Sequence, residues 1–356
     1  MRGSKQSFQF ARFILIILFL ATAFLFYSPN LVPPLSSSGF LGEINRWIVV
    51  FLFLLAARQF FYLFFSACEE IRRERLPRDY PLHPISIIVP AYNEGVVIHH
   101  TIRNLLMIDY PDFEIILVDD GSSDDTYSAG LKASMGDPRV RAFRKTNGGK
   151  AAALNYGISY AKNKYIFCMD ADSIVHKDAL RMGIRHFVDP DIVAVAGSVL
   201  VLNQINSITQ FQAMEYLTGL NFFKSAQSYL GLVMIIPGPS GLFRRSEVVS
   251  IGGYKADTFA EDCDLTLRLV IRHGRIVYEP LMEVRTEIPE QVMPLIKQRY
   301  RWNRGILQAL SKHLRKGLLS FRQPHVFVVI LYMALETLVL PIANVTITLL
   351  SLGYVL

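Results

Sequence analysis

The feature that most limits what this chain can become is an apolar run from Trp47 to Cys68, followed at once by Arg72, Arg73, Arg75 and Arg78. A helix of that length crosses the roughly 30 Å hydrocarbon core of a bilayer, and arginines clustered after it mark the cytoplasmic side. A second apolar run, residues 13–27, lies behind a short basic stretch with Arg2, Lys5 and Arg12. A secretory signal has the same layout. No small-x-small cleavage site follows, and the 47–68 run arrives after a Pro- and Ser-rich link, which favours an uncleaved anchor. Residues 1–83 are therefore expected to form a transmembrane hairpin and a juxtamembrane linker. Arg58, near the middle of the second run, is costly in lipid. It should face a partner helix or a polar lumen, or the helix should bend into the interface beside it.

The other end of the chain repeats the theme. Residues 326–356 are apolar almost throughout, interrupted by Glu336 and Pro341, and read as one span. Because the sequence stops inside apolar material, a further helix is expected to follow. Between residues 285 and 322 nine Lys or Arg stand against two acids, and Leu307, Leu310, Leu314 and Leu318 recur at helical spacing. That pattern suits a cationic helix on the inner membrane surface, over residues 291–325. With 51% apolar residues among 356, part of the chain belongs in lipid. The net charge of +7 is concentrated beside the apolar segments, which favours a membrane surface over nucleic acid. Cys68, Cys168 and Cys263 are far apart and show no CxxC pairing, so they read as reduced thiols.

Residues 84–290 have ordinary polarity and enough length for a core of their own. Residues 85–89 are a short β-branched run ended by Pro90, and residues 114–118 are another, ended by Asp119, Asp120 and Gly121. Between them, residues 95–107 carry apolar side chains at helical spacing. This is a βαβ opening, with polar residues where parallel α/β sheets hold their ligands. A third run, 165–169, ends in Asp170-Ala171-Asp172, and 192–195 adds a fourth. Two carboxylates around one turn suit a hard divalent cation, although an isolated DxD is more often a solvated turn. Glu261-Asp262-Cys263-Asp264 also makes an ordinary acidic helix start. His99, His100, His176 and His186 lack metal-ligand spacing.

The ordered set Pro90-Ala91-Tyr92-Asn93-Glu94, Asp119-Asp120-Gly121-Ser122, Asn147-Gly148-Gly149-Lys150, Asp170-Ala171-Asp172, Glu261-Asp262 and Gln298-Arg299-Tyr300-Arg301-Trp302 resembles the processive family 2 glycosyltransferases. That group contains the cellulose, chitin, hyaluronan and poly-N-acetylglucosamine synthases. The resemblance covers roughly residues 84–320. It implies an α/β fold of the GT-A, Rossmann-like kind on the cytoplasmic face, flanked by transmembrane helices.

Position by position, the resemblance implies that Ala91, Tyr92 and Glu94 hold the base and ribose of a uridine nucleotide, with Asp120 and Lys150 completing the pocket. Asp170 and Asp172 become donor-side carboxylates, Asp172 the better direct contact to Mg²⁺ or Mn²⁺. Asp262, with Glu261 beside it, becomes the base that takes the acceptor proton. The family writes Thr-Glu-Asp there, and Ala260 replaces the threonine. Gln298, Arg299 and Arg301 lie near the diphosphate, Trp302 under the acceptor sugar, and Ser240 in a small-residue loop near the acceptor. Residues 210–228, with Glu215, read as an interfacial helix.

The expected reaction is inverting transfer from a UDP-sugar to the end of a growing β-linked polysaccharide, coupled to export. Phe243-Arg244-Arg245-Ser246 and residues 261–265 most resemble the poly-N-acetylglucosamine and chitin-oligosaccharide synthases, which makes UDP-N-acetylglucosamine the favoured donor. Export would call for a membrane partner subunit or a homo-oligomer. The alternatives are a lipid acceptor on the same fold, diacylglycerol or polyprenyl phosphate, and a non-catalytic nucleotide-binding subunit.

Overall fold

The computed structural model describes residues 40–272, 274–318 and 324–355, so the expected first apolar segment, 13–27, lies outside the described residues. The strands are β1 (Ile85–Ala91), β2 (Phe113–Asp119), β3 (Val140–Arg144), β4 (Tyr165–Cys168), β5 (Ser173–Val175), β6 (Ile192–Val201), β7 (Gly241–Arg244) and β8 (Arg275–Thr286). They form one eight-stranded mixed sheet in the order β3-β2-β1-β4-β7-β6-β8-β5. The β3-β2-β1-β4 half is parallel, and β7 runs antiparallel to both β4 and β6.

Every residue of β1 and β2 is buried, as expected of parallel strands covered on both faces. One core layer packs Ile88, Ile116 and Ile166 under the Lys150–Tyr160 helix, and the other packs Ile87, Ile115 and Phe167 under the Ile98–Leu106 helix. β1 runs on through Pro90, where the sequence suggested that it ends. The reason is local. Pairing with β4 stops at Ile88 and Cys168, so the N–H that Pro90 lacks points to a side of β1 where no partner strand remains.

Two helices are long and apolar enough to cross a membrane, Arg46–Glu74 and Val326–Leu350. The first is part of an unbroken helix, Phe40–Glu74, of 35 residues. The second contains a π-helical stretch, Leu335–Val339, just before Pro341, whose missing N–H interrupts regular helical bonding there. The two meet at Arg58. Its Nε and Nη2 donate to the Glu336 carboxylate at 2.9 and 2.5 Å. The Tyr62 hydroxyl donates to Glu336 at 2.7 Å and shares a hydrogen bond with Tyr332. Of the expectations for Arg58, the partner helix is the one realised.

The segment 207–230 is helical, regular over Ser207–Glu215, π-helical over Tyr216–Phe222 and regular again over Phe223–Leu230. It links the sheet to the two apolar helices. Asn221 exchanges hydrogen bonds with both backbone groups of Val199 in β6, while Phe223 packs on Tyr62 and Gln227 donates to Tyr332.

Candidate active site

Loops leaving the C-terminal ends of β1, β2 and β4 converge, and the helix Glu261–Ile271 brings its N-terminus to the same place. Behind β1, Asn93 adopts a left-handed φ of 57°. Its backbone N–H donates to Ser122 Oγ at 2.9 Å, and its side-chain oxygen accepts from the Ser123 N–H at 2.9 Å. The Glu94 N–H donates to Thr126 Oγ1 at 2.8 Å. The first two loops are thus laced into one rim, on which Tyr92 is half exposed.

Asp120 sits below that rim, 2% exposed. Its carboxylate accepts from the Gly149 N–H at 2.7 Å, from the Gly148 N–H at 3.1 Å and from Lys145 Nζ at 2.5 Å. It therefore organises the loop that starts the Lys150 helix. Gly121 enables the approach: its φ is +76°, and a Cβ there would lie 2.7 Å from the backbone nitrogen of Asn147. Lys145 has no place among the motifs, and only the fold brings it to Asp120.

Lys150 reaches across the cleft. Its Nζ lies 2.5 Å from Asp170 Oδ1 and 3.6 Å from Glu261 Oε1. Enclosure by the cleft lowers its pKa, and the carboxylates of Asp170 and Glu261 more than reverse this, so the proton is held tightly. Gly238 borders this pair, a Cβ there falling 3.1 Å from Lys150 Nζ. Ser240, two residues on, is not brought to the cleft. It is wholly buried, and its hydroxyl donates to the Met282 carbonyl at 3.3 Å. The small-residue loop meets the site through its glycine.

Negative charge accumulates beside Lys150. Burial, and then the charges of Asp172, Asp170, Glu287 and Asp124, push Glu94 up to about 7. Burial and Asp170 raise Asp172, whose Oδ1 accepts from Ser173 at 3.1 Å and Thr286 at 3.3 Å. Crowded carboxylates of this kind favour a cation among them. Among the described residues no three carboxylate, imidazole or thiol side chains gather into a metal-holding group. A pair of oxygen ligands such as Asp170 and Asp172 suits Mg²⁺ or Mn²⁺ when phosphate oxygens supply the rest.

Asp262 is another carboxylate with a displaced pKa. Burial first, and then the charge of Glu261, push it up to about 6, against the pull of Lys150. Two residues on, Asp264 is wholly buried and accepts from Arg268 Nε at 2.7 Å and His313 Nε2 at 2.8 Å, with Lys312 Nζ at 2.8 Å. Burial alone would raise its pKa; the bonds from His313, Lys312 and Arg268 hold it far below the usual carboxylate range. Lys312 and His313 belong to the helix Val292–Leu318, so Asp264 clamps that helix to the one bearing Asp262. Gly305 completes the clamp, since a Cβ there would lie 2.5 Å from the Ala260 backbone nitrogen. Cys168 and Cys263 are buried and free, and burial pushes the Cys168 thiol up to about 12, leaving it inert.

On the same long helix, Trp302 packs against Val199, Val201, Tyr216 and Ile288. Arg299 lies over its ring, 4.3 Å from guanidinium carbon to centroid, and donates to Glu215 at 2.6 Å. Arg299 is thus turned toward the helical segment 207–230. Gln298 accepts from it at 3.4 Å, and Arg301 is exposed.

Comparison with known proteins gives the class. Residues 86–249 match the family described as Glycosyl transferase family 2, and the domain they form belongs to that family. The poly-beta-1,6-N-acetyl-D-glucosamine synthase of Staphylococcus aureus is 34% identical over 273 residues, 76% of this chain and 65% of that protein. The same synthase of Staphylococcus epidermidis is 31% identical over 264 residues, 70% and 64% of the two chains. The chain thus spans a little under two thirds of the length of these relatives. Among solved structures, a mannosyltransferase of Pyrobaculum calidifontis in complex with GDP-Man and Mn²⁺ superposes with a TM-score of 0.60 at 22% identity, over 88% of this chain and 92% of that one. TarS of Staphylococcus aureus, residues 1–349 with UDP-GlcNAc, gives 0.50 at 16%, over 71% and 73%. These two likenesses speak to the fold, which is GT-A.

Proposed function

We propose that this protein is an inverting membrane glycosyltransferase that moves N-acetylglucosamine from its UDP donor to the end of a growing β-linked polysaccharide. The observation that carries this reading is that Asp262, pushed up to about 6 by burial and Glu261, feels the charges of the Lys150–Asp170 pair at the start of a clamped helix. The identity to poly-N-acetylglucosamine synthases supports the choice of sugar.

In this reading Tyr92 and the Glu94 loop receive the uridine, above the Asp120-held glycine loop. Lys150 and the exposed Arg301 stand ready for diphosphate oxygens, as fixed cations do for charge that grows in the transition state. A divalent cation held by Asp172 and Asp170 would neutralise charge on the leaving diphosphate. Asp262 accepts the proton of the acceptor hydroxyl as that oxygen attacks the anomeric carbon and the bond to the diphosphate breaks. One displacement inverts the α-linked donor to a β-linked product, and no second carboxylate need protonate the leaving group. Trp302 lends an apolar ring edge to the acceptor sugar beside Arg299.

The membrane part of the reading rests on the two long apolar helices and on exposed Phe211, Met214 and Leu217 of the interfacial helix, with Val292, Met293 and Ile296 of the long cationic helix. Such surfaces seat at a lipid interface, with the catalytic sheet on the cytoplasmic side marked by Arg72, Arg73, Arg75 and Arg78. Export of the polymer would draw on further helices, from a partner subunit or a second copy.

The test is incorporation of radiolabel by the full chain in vesicles, supplied with a panel of UDP-sugars and either Mg²⁺ or Mn²⁺. Label from UDP-N-acetylglucosamine in a glycosidase-sensitive polymer, lost on chelation, is the expected result. Label only in the organic extract would replace the polymer with a lipid acceptor. Tight nucleotide binding without turnover on any donor would replace catalysis with a binding role.

A further inference from the structure

Strand β5, three residues long, begins directly after Asp172 and is held from several directions. It pairs antiparallel with the end of β8, which sets Ser173 opposite Thr286 and Val175 opposite Val284. The Val175 N–H donates to Asn104 Oδ1 at 2.8 Å, and Asn104 Nδ2 donates back to the Val175 carbonyl at 3.1 Å. Just before the strand, Thr101 Oγ1 donates to the Ala171 carbonyl at 2.6 Å. Asn104 and Thr101 both belong to the Ile98–Leu106 helix, so the turn that carries Asp172 is tied to that helix as well as to the sheet.

Thr286 is fixed in its turn. It is paired with Val201 of β6 on its other side, and its carbonyl accepts from the Leu202 N–H at 2.9 Å. Ser173 is wholly buried and Thr286 is 8% exposed. Their hydroxyls meet at one atom, Asp172 Oδ1, at 3.1 and 3.3 Å. Among the described residues no donor reaches Asp172 Oδ2. The last torsion of an aspartate is broad, so an unheld carboxylate samples many orientations, and two bonds from a rigid cross-strand pair remove that freedom. A carboxylate only accepts, which commits both hydroxyls to donating. They are also neutral, so they orient the group without cancelling its charge. Asp170 is treated differently, with Lys150 Nζ at 2.5 Å from its Oδ1. Of the two carboxylates in the turn, Asp172 keeps its charge for a cation from outside the protein.

We propose that Thr286 and Ser173 are positioning residues for the divalent cation, holding Asp172 by Oδ1 so that Oδ2 is presented as the ligand. The inference rests on the reading of Asp172 as a metal ligand. A single oxygen from a fixed carboxylate suits Mg²⁺ and its strict octahedral geometry, with diphosphate oxygens and water as the remaining ligands. Groups behind a ligand set metal affinity by fixing its orientation, and their removal costs about 10–100-fold.

The experiment titrates Mn²⁺, followed by its electron paramagnetic resonance signal, into the full chain in detergent with UDP present. It compares wild type, Thr286→Val, Thr286→Ser and Ser173→Ala. Valine keeps the β-branched shape and the ladder bonds of Thr286 and removes only the hydroxyl. The Kd for Mn²⁺ is expected to rise about tenfold in Thr286→Val and in Ser173→Ala, while Tm and UDP affinity measured without metal stay as in wild type. Thr286→Ser, which restores the hydroxyl, should bind Mn²⁺ as wild type does. Unchanged Mn²⁺ affinity in either hydroxyl-less variant overturns the inference and leaves Asp172 standing as a ligand. A joint loss of Mn²⁺ affinity, metal-free UDP affinity and Tm, not restored by serine, overturns it in favour of a structural role in the sheet. Wild type that takes up no Mn²⁺ beyond that bound by free UDP overturns the reading of Asp172 itself.

Discussion

Asp262 is where a single atom decides the outcome. Removing its charge with Asp262→Asn should lower transfer by about 10²–10⁴-fold, the range for loss of a general base, while UDP binding measured by calorimetry stays within about twofold. The sign of the pH dependence follows from the same residue. A base must be ionised, and Asp262, in the proposed role, is ionised above a pKa of about 6. The acid limb of kcat/KM should therefore bend near pH 6 and fall about tenfold per unit below it; a limb bending near pH 4 would mean an unperturbed base. Asp262 stands out in the sequence as the candidate base because the Glu261-Asp262 pair sits in an ordered series of motifs. Its pKa is not, since that depends on burial and on Glu261, Lys150 and Asp170 meeting across the sheet. Lys145 escapes sequence reading for a related reason. A lone lysine carries no periodicity or spacing, and its meaning comes from what a distant segment places beside it.

Elements were more readable than their ends. Uniform burial of β1 and β2 produces unbroken apolar runs, so the βαβ opening shows plainly, whereas the extension of β1 past Pro90 depends on where β4 stops pairing. The short β5 and β7 strands and the antiparallel turn of β7 leave almost no pattern in four residues or fewer. The contact between Gly305 and Ala260 is also invisible in one dimension. It bears on the departure from Thr-Glu-Asp, because the backbone of the long cationic helix lies against residue 260 with little room for a larger side chain. Gly305→Ala should push the two helices apart, at about 1–3 kcal/mol in stability. It should also lower kcat about 100-fold through displacement of Asp262 by an ångström, without loss of UDP affinity. Stopped kinetics with normal nucleotide binding would fit; normal kinetics would show that the helices part without consequence.

Across the whole molecule, the two apolar helices are joined to each other through a few polar contacts, of which Arg58 with Glu336 is the most exacting. Glu336→Gln leaves the arginine without its counter-charge in an apolar setting, a loss on the order of 2.5–3.5 kcal/mol. The melting temperature in detergent should drop, and a joint Arg58→Met, Glu336→Leu replacement should recover part of the drop; no change in either would place Arg58 in water. The same guanidinium lies 5.5 Å from the centre of the Phe223 ring, on the helix that follows Asn221. In the proposed membrane setting, a bilayer too thick or too thin for the two apolar helices would slide one along the other, and this contact is where the Phe223–Leu230 helix would register the slide. Hydrophobic mismatch would then reach the sheet as a pull on the bonds between Asn221 and Val199.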